Sequence, residues 1–255
     1  MHYRRGEGSA PYVLLSTREK VVYGALSLHR GAKHQRQMNE MNLTEQALST
    51  DTVFSRSLVS EGYLSELQMQ QAALRYKLGR ANDGGVIFWE IDDSQKVRDG
   101  KIMYYRDDCH RDHDHHPDWV SHRLKAHYGY DGDLSVDRCL FGLHLLGVVG
   151  GTVCVLESEK SAVICSELFP QALWLASGGL SMLNAAKLYP LRDHKVVLFP
   201  DTDPDGKAFQ SWQSVASTAQ EFFKHPIRVS RLLEDHASPD QKAMKIDLVD
   251  FLFPP

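Results

Sequence analysis

Short apolar runs that stop abruptly at carboxylates set the pattern of the C-terminal half of this chain. Val153–Leu156 ends at Glu157 and Glu159, and Val196–Phe199 ends at Asp201, Asp203 and Asp205. An apolar run of this length, bounded by polar residues and followed by helical periodicity, reads as a buried parallel strand feeding a helix. The pattern predicts strand 152–156, helix 161–168, strand 172–176, helix 181–188, strand 195–199, helix 206–223 and strand 227–231. Alternation of this kind predicts an α/β fold, a mostly parallel sheet with right-handed crossovers and helices on both faces.

The N-terminal half has a different rhythm. Residues 53–78 have helix-forming composition, with Leu64, Leu67, Ala72 and Leu74 near helical spacing and Gly79 placed as a cap. Two β-rich runs within 86–105 flank the polar turn Asp92-Asp93-Ser94-Gln95, which predicts an antiparallel hairpin. Residues 1–52 are the least regular part and lean basic, with Arg18, Lys20, Arg30, Lys33 and Arg36. They read as a basic arm that could touch nucleic acid or as a solvated helix face, the commoner use of such charges. The expected division is an arm over 1–52, a smaller α+β part over 53–136 and the α/β part over 137–255.

The acidic strand ends carry the candidate chemistry. In open α/β sheets the loops leaving the carboxyl ends of strands lie along one edge, so the two acidic turns are expected to face each other. Gathering carboxylates costs free energy unless a cation neutralises them, and an all-oxygen set suits Mg²⁺ or Mn²⁺. The candidate metal ligands are Glu157, Asp201, Asp203 and Asp205, and the implied chemistry is at phosphate. Lys160 and Lys207 stand beside the acidic turns as candidate phosphate contacts. Gly178 and Gly179 open a helix, either as anion-binding amides or as a turn that needs glycine. By itself Asp-Thr-Asp-Pro-Asp-Gly is also a common turn and helix cap. The tail KIDLVDFLFPP predicts a short helix bearing Asp247 and Asp250, either of which could reach the pocket.

Glu-Ser-Glu-Lys-Ser-Ala after one strand, Ser-Gly-Gly after the next and Asp-Thr-Asp-Pro-Asp-Gly-Lys after a third resemble the toprim domain. That domain is shared by bacterial-type primases, phage primase-helicases, topoisomerases and some nucleases. The chain departs from the family pattern at Ser158, where a glycine is usual, and at Ser161, where many members carry an aspartate. The resemblance implies a toprim-like (Rossmann-like) catalytic domain preceded by a part similar to a primase core. It also implies catalytic roles for Glu157, Asp201 and Asp203, with Glu157 as general acid/base in the cleaving members. By the same resemblance Arg98, Lys101 and Arg106 of the hairpin would contact a nucleic-acid backbone. The implied activity is primase-like nucleotidyl transfer in replication or mobilisation of a phage, plasmid or other mobile element. DNA or RNA and nucleotides would be partners, with a separate helicase or mobilisation protein. A toprim-type nuclease and a catalytically silent nucleic-acid-binding module are the alternatives.

Composition changes the picture little. The formal net charge of −4 neither announces nor excludes nucleic-acid binding. Cys109, Cys139, Cys154 and Cys165 lack paired spacing, which favours a reducing, cytoplasmic setting. No stretch has the length and apolarity of a membrane span. Cys109, His110, His113, His115, His116 and His122 invite a Zn²⁺ reading, but they crowd one short stretch where a closed site wants two separated ligand pairs. No GxxxxGK[ST] occurs, so the sequence shows no nucleotide-driven motor motif.

Overall fold

The computed structural model describes residues 47–129 and 137–254. The basic arm therefore lies almost wholly outside the described residues, and the boundary expected after residue 136 falls at the edge of the undescribed stretch 130–136.

The predicted N-terminal helix is two helices, α1 (Val53–Ser60) and α2 (Glu66–Arg75). Gly62 breaks the path with φ of 75°, a conformation that side chains with a Cβ resist. Ser65 then restarts it through a reciprocal capping box with Gln68. Gly79 is not the helix cap expected of it. It lies in β1 (Gly79–Arg80), where a Cβ would sit 2.8 Å from the Trp89 indole nitrogen, so close strand packing is what demands glycine.

β1 joins β2 (Val86–Ile91), β3 (Val97–Met103) and β4 (Asp118–Trp119) in an antiparallel sheet of that order. Helix α3 (Val120–Tyr128) follows β4 directly. Every residue of β2 is buried because both faces of the sheet are covered. Ile87, Trp89 and Ile91 share a small core with Val120 and Leu124 of α3, while Val86 and Phe88 belong to the main core. Glu90 falls on the Val86–Phe88 side by the alternation of the strand, and Asp99 and Lys101 lie opposite Glu90 and Phe88 in the register. Three charged side chains are thereby aimed inward.

The second sheet is parallel throughout, in the order β6 (Leu173–Ala176), β5 (Val153–Leu156), β7 (Val196–Phe199), β8 (Arg228–Val229). Its crossover helices are α4 (Glu159–Leu168), α5 (Ala185–Leu188) and α6 (Lys207–Ala219). The chain steps from β5 to β6 in one direction and from β6 past β5 to β7 and β8 in the other. Right-handed crossovers then place α4 on one face and α5 and α6 on the other. The packing agrees, since α5 lies on α6 whereas α4 lies on α2 and on the C-terminal α9 (Leu248–Leu252). Between α6 and α9 the chain forms two more short helices, α7 (Leu232–His236) and α8 (Pro239–Met244). Helix α5 is shorter than predicted because 180–182 form a 3₁₀ turn and Asn184, not Ser181, caps the α-helix.

One hydrophobic cluster runs from Phe54 of α1 through the parallel sheet to Val249 of α9, so the antiparallel and parallel parts share a core. Among the described residues no helix is long and apolar enough to cross a membrane.

Candidate functional site

Strands β5 and β7 are neighbours, and the chain leaves them toward opposite edges of the sheet. A crevice forms at the carboxyl ends of such a strand pair, because the helices that follow diverge to opposite faces. Glu157 and Asp201 stand at those two ends. The Asp201 backbone N–H donates to Glu157 Oε1 at 3.2 Å, which ties the two turns together across the crevice.

Both carboxyls are held above the usual carboxylate range. Burial is the leading cause for each; for Asp201 the Glu157 charge comes next, and the Asp247 charge raises both. Asp201 Oδ1 is shut off from solvent and has no hydrogen-bond partner. An orphaned carboxylate oxygen costs about 1–3 kcal/mol unless something meets it.

The C-terminal helix brings two further acids. Thr202 N–H donates to the Ile246 carbonyl at 3.0 Å, pinning the segment before α9 against the end of β7. Asp247, only 7% exposed, caps α9 by accepting from the backbone of Val249 and Asp250 through Oδ1. Its Oδ2 accepts from the Ser161 hydroxyl of α4. Asp250 is raised as well, by burial and then by Asp247. Lys160 is the cation of this group. Burial alone would lower its ammonium, but Asp247 and its neighbours raise it, and the ammonium stands 5.9 Å from the Tyr63 ring. Asp201, Asp247 and Asp250 thus act on one ammonium, with Glu157 joined to Asp201, so that acids outnumber cations in the crevice. Among the described residues no group of three or more His, Cys, Asp or Glu side chains is placed to hold a metal ion.

The other predicted residues are placed differently. Asp203 Oδ1 accepts from the backbone of Asp205 at 2.9 Å and Lys207 at 3.1 Å, and its Oδ2 from Ala208 at 2.6 Å. Slight burial would raise Asp203, but these amides at the start of α6 hold it below the usual range. Asp205 is exposed and pairs with Lys207 at 2.6 Å. Gly178 N–H donates to the Glu157 carbonyl and Gly179 N–H to Ser177 Oγ, so both amides of the glycine turn are engaged within the chain. Arg98 pairs with Asp92 and Arg106 with Asp108.

Lys101 is turned inward. Its Nζ donates to both oxygens of Glu159 at 3.1 Å and to the Gly178 carbonyl at 2.8 Å, joining β3 to the turns after β5 and β6. Lys187 of α5 lies beside it in the fold, donating to the Ser177 carbonyl at 3.4 Å and standing 3.9 Å from Glu90. Arg138 bonds Asp99 at 2.8 Å and approaches Glu90 at 4.0 Å. Sequence reasoning did not find this seam of three cations and three acids. Its one signal was a glutamate and an aspartate on the apolar side of the hairpin.

In the histidine-rich stretch His110, His115 and His122 each contact an aspartate two to four residues earlier, Asp108, Asp112 and Asp118. These histidines, with His113 and His116, are exposed.

A family described as a domain of unknown function, DUF6371, matches residues 52–202. The matched stretch holds Glu157 and Asp201 and ends before Asp203. No curated protein matches the chain. Among solved structures, the chain is similar to the primase fragment of the bacteriophage T7 primase-helicase at 17% identity and a TM-score of 0.41. That likeness covers 69% of this chain and 63% of the fragment, so the chain spans less than two thirds of its length. It is also similar to the T7 primase domain solved with the lagging-strand DNA polymerase, an RNA/DNA hybrid and dTTP. There the identity is 17% and the TM-score 0.42, over 68% of this chain and 77% of the other.

Proposed function

Taking as premise that the chain belongs to the DUF6371 family, we propose that it is a divalent-metal-dependent nucleic-acid enzyme performing primase-like nucleotidyl transfer. The observation that carries this reading is the meeting of Glu157 and Asp201 at the switch point of a parallel sheet, with Asp201 Oδ1 buried and unmet. The toprim-like motifs around both residues supply the reaction class.

In this reading Glu157 and Asp201 hold Mg²⁺ or Mn²⁺. When bound, the ion would offset charge developing at phosphorus. Glu157 either completes the ion's ligand set or, its carboxyl raised in the metal-free protein, serves as the general acid/base. Lys160 balances part of the acidic charge, which keeps the crevice from repelling a phosphate outright. The clamp from Lys101 to Glu159 and Gly178 fixes the turn whose amide holds the Glu157 carbonyl, so that the acid is presented from a rigid frame. DNA or RNA and nucleotides are the proposed substrates, with a helicase or mobilisation protein acting alongside.

The test is incubation of the protein with labelled nucleotides and Mg²⁺ or Mn²⁺ on unprimed and primed single strands. Products longer than the input, absent with Glu157→Gln and Asp201→Asn, support the proposal. Shortened strands instead of extended ones would replace it with phosphodiester hydrolysis.

A further inference from the structure

We infer that the free edge of β8 is a docking site for an extended acidic peptide of a partner protein, which joins the parallel sheet as a further strand. β8 ends that sheet, with β7 on one side and no strand of the described residues on the other. Leu198 of β7 pairs with Val229, and the Ser230 N–H donates to the Leu198 carbonyl at 2.8 Å, so Arg228 and Ser230 turn their backbone groups to β7. Ile227 and Val229 therefore turn theirs outward, as alternate residues of a parallel strand do. The first outward pair already has a stand-in. Gln220, just past α6, accepts from the Ile227 N–H at 2.8 Å and donates to the His225 carbonyl at 3.2 Å, the bonds that one residue of a parallel neighbour would make. The next pair, the Val229 N–H and the Ile227 carbonyl, faces the open edge, and such an edge is a template for another chain.

Each face of this strand has a cavity beside it. Ile227, Val229 and Arg231 line one of about 310 Å³ with Phe209 and Ala216 of α6. Pro226 and Arg228 line another of about 320 Å³ with Lys195 and Val197. Alternate positions of a strand point to opposite faces, so a peptide laid along β8 would send successive side chains toward one cavity and then the other. The two cavities differ in chemistry. Phe209, Ala216, Ile227 and Val229 give the first apolar walls. In the second, Lys195 and Arg228 are exposed, and neither has an ion-pair partner among the described residues. The cations at the ends of the strand are paired, Lys224 with Asp193 and Arg231 with Asp235. Apolar residues alternating with Asp or Glu therefore complement both faces. A second copy of this chain would bring the same unpaired cations edge to edge. A nucleic-acid backbone would meet the cations but leave the apolar walls and the outward amide without partners. Neither Glu157 nor Asp201 lines either cavity, so the inference goes beyond the proposed reaction and stands apart from it.

The probe is a panel of short fluorescein-labelled peptides in which valine, isoleucine or phenylalanine alternates with glutamate, read by fluorescence anisotropy on the full chain. At least one is expected to bind at low salt, and to lose most of that binding when its backbone nitrogens are methylated. Val229→Pro removes an outward N–H and leaves the bonds to β7 in place, and it is expected to weaken binding by about fivefold or more. Arg228→Glu reverses an exposed charge, is expected to weaken binding by a similar factor, and serves as the readout if circular dichroism shows that Val229→Pro does not fold. Amide hydrogen exchange over 227–231 should slow when the peptide is bound. No binding by any member of the panel, or binding indifferent to both variants, would overturn the inference. A labelled thymidine oligonucleotide that displaces the peptide, and whose own binding falls in Arg228→Glu but not in Val229→Pro, would make the edge a nucleic-acid surface instead. Sedimentation showing a concentration-dependent dimer that Val229→Pro abolishes would give the edge to a second copy.

Discussion

Glu90 offers a test of the seam between the two sheets. Its side chain is 5% exposed, Oε2 has no hydrogen-bond partner, and the nearest cations stand off at 3.9 Å (Lys187) and 4.0 Å (Arg138). Burial pushes its carboxyl up from 4.5 to about 7, more than Lys187 and Arg138 pull it down. An acid whose folded-state pKa is raised contributes its full stability below the unfolded value and loses it as pH rises through the folded value. The window therefore opens near 4.5 and closes above about 7. A displacement of this size is worth about 3 kcal/mol, at roughly 1.4 kcal/mol per pH unit. Glu90→Gln keeps the shape and removes the ionisation. It should be more stable than the wild type by up to about 3 kcal/mol at about pH 8.5, and indistinguishable from it at about pH 4. In a chain of this size that is about 6–12 °C in Tm. Urea titrations of the two proteins across this range measure the difference directly. A glutamine variant less stable than the wild type at high pH would refute the reasoning. It would mean that Lys187 and Arg138 outweigh the cost of taking Glu90 out of water.

Three further outcomes follow from the same geometry. Asp203→Ala should cost about 1 kcal/mol by uncapping α6, and Asp203→Asn, which keeps one accepting oxygen but turns an NH₂ toward a backbone N–H, should fall between Asp203→Ala and the wild type in chemical denaturation. Lys101→Met strands Glu159, whose side chain is 6% exposed, and should cost about 3–5 kcal/mol; a loss below about 1 kcal/mol would show the clamp to be dispensable. Glu157 and Asp201 are both raised by burial, so the metal-free protein should lose stability as pH climbs from acid to neutral. Glu157→Gln should flatten that loss in a Tm-versus-pH series, and an unchanged slope would contradict the assignment.

Much of the α/β half was legible because a parallel strand covered on both faces must be apolar along its length. Val153–Leu156 and Val196–Phe199 therefore announced themselves, and the carboxylates that stop them marked the crevice. The fate of those carboxylates was less legible. Asp201 and Asp203 are equivalent by spacing, yet the path of one loop sends the first into the crevice and the second onto the α6 amides. Nothing local distinguishes them. Lys101 was assigned by resemblance to a nucleic-acid backbone, and its inward clamp was not legible, since its partners Glu159 and Gly178 are remote in sequence. The alternation of β2 did contain the clue that Glu90 shares a face with Val86 and Phe88, but only a second sheet against that face makes the position buried. Gly79 was assigned to a helix end when the close approach of Trp89 is what fixes it.

The most direct test of the central claim is the anomalous difference map of a crystal soaked in Mn²⁺. The account predicts a peak in contact with the Glu157 carboxylate and Asp201 Oδ1, lost in Asp201→Asn. A well-ordered crystal with both turns in place and no manganese between them would contradict it.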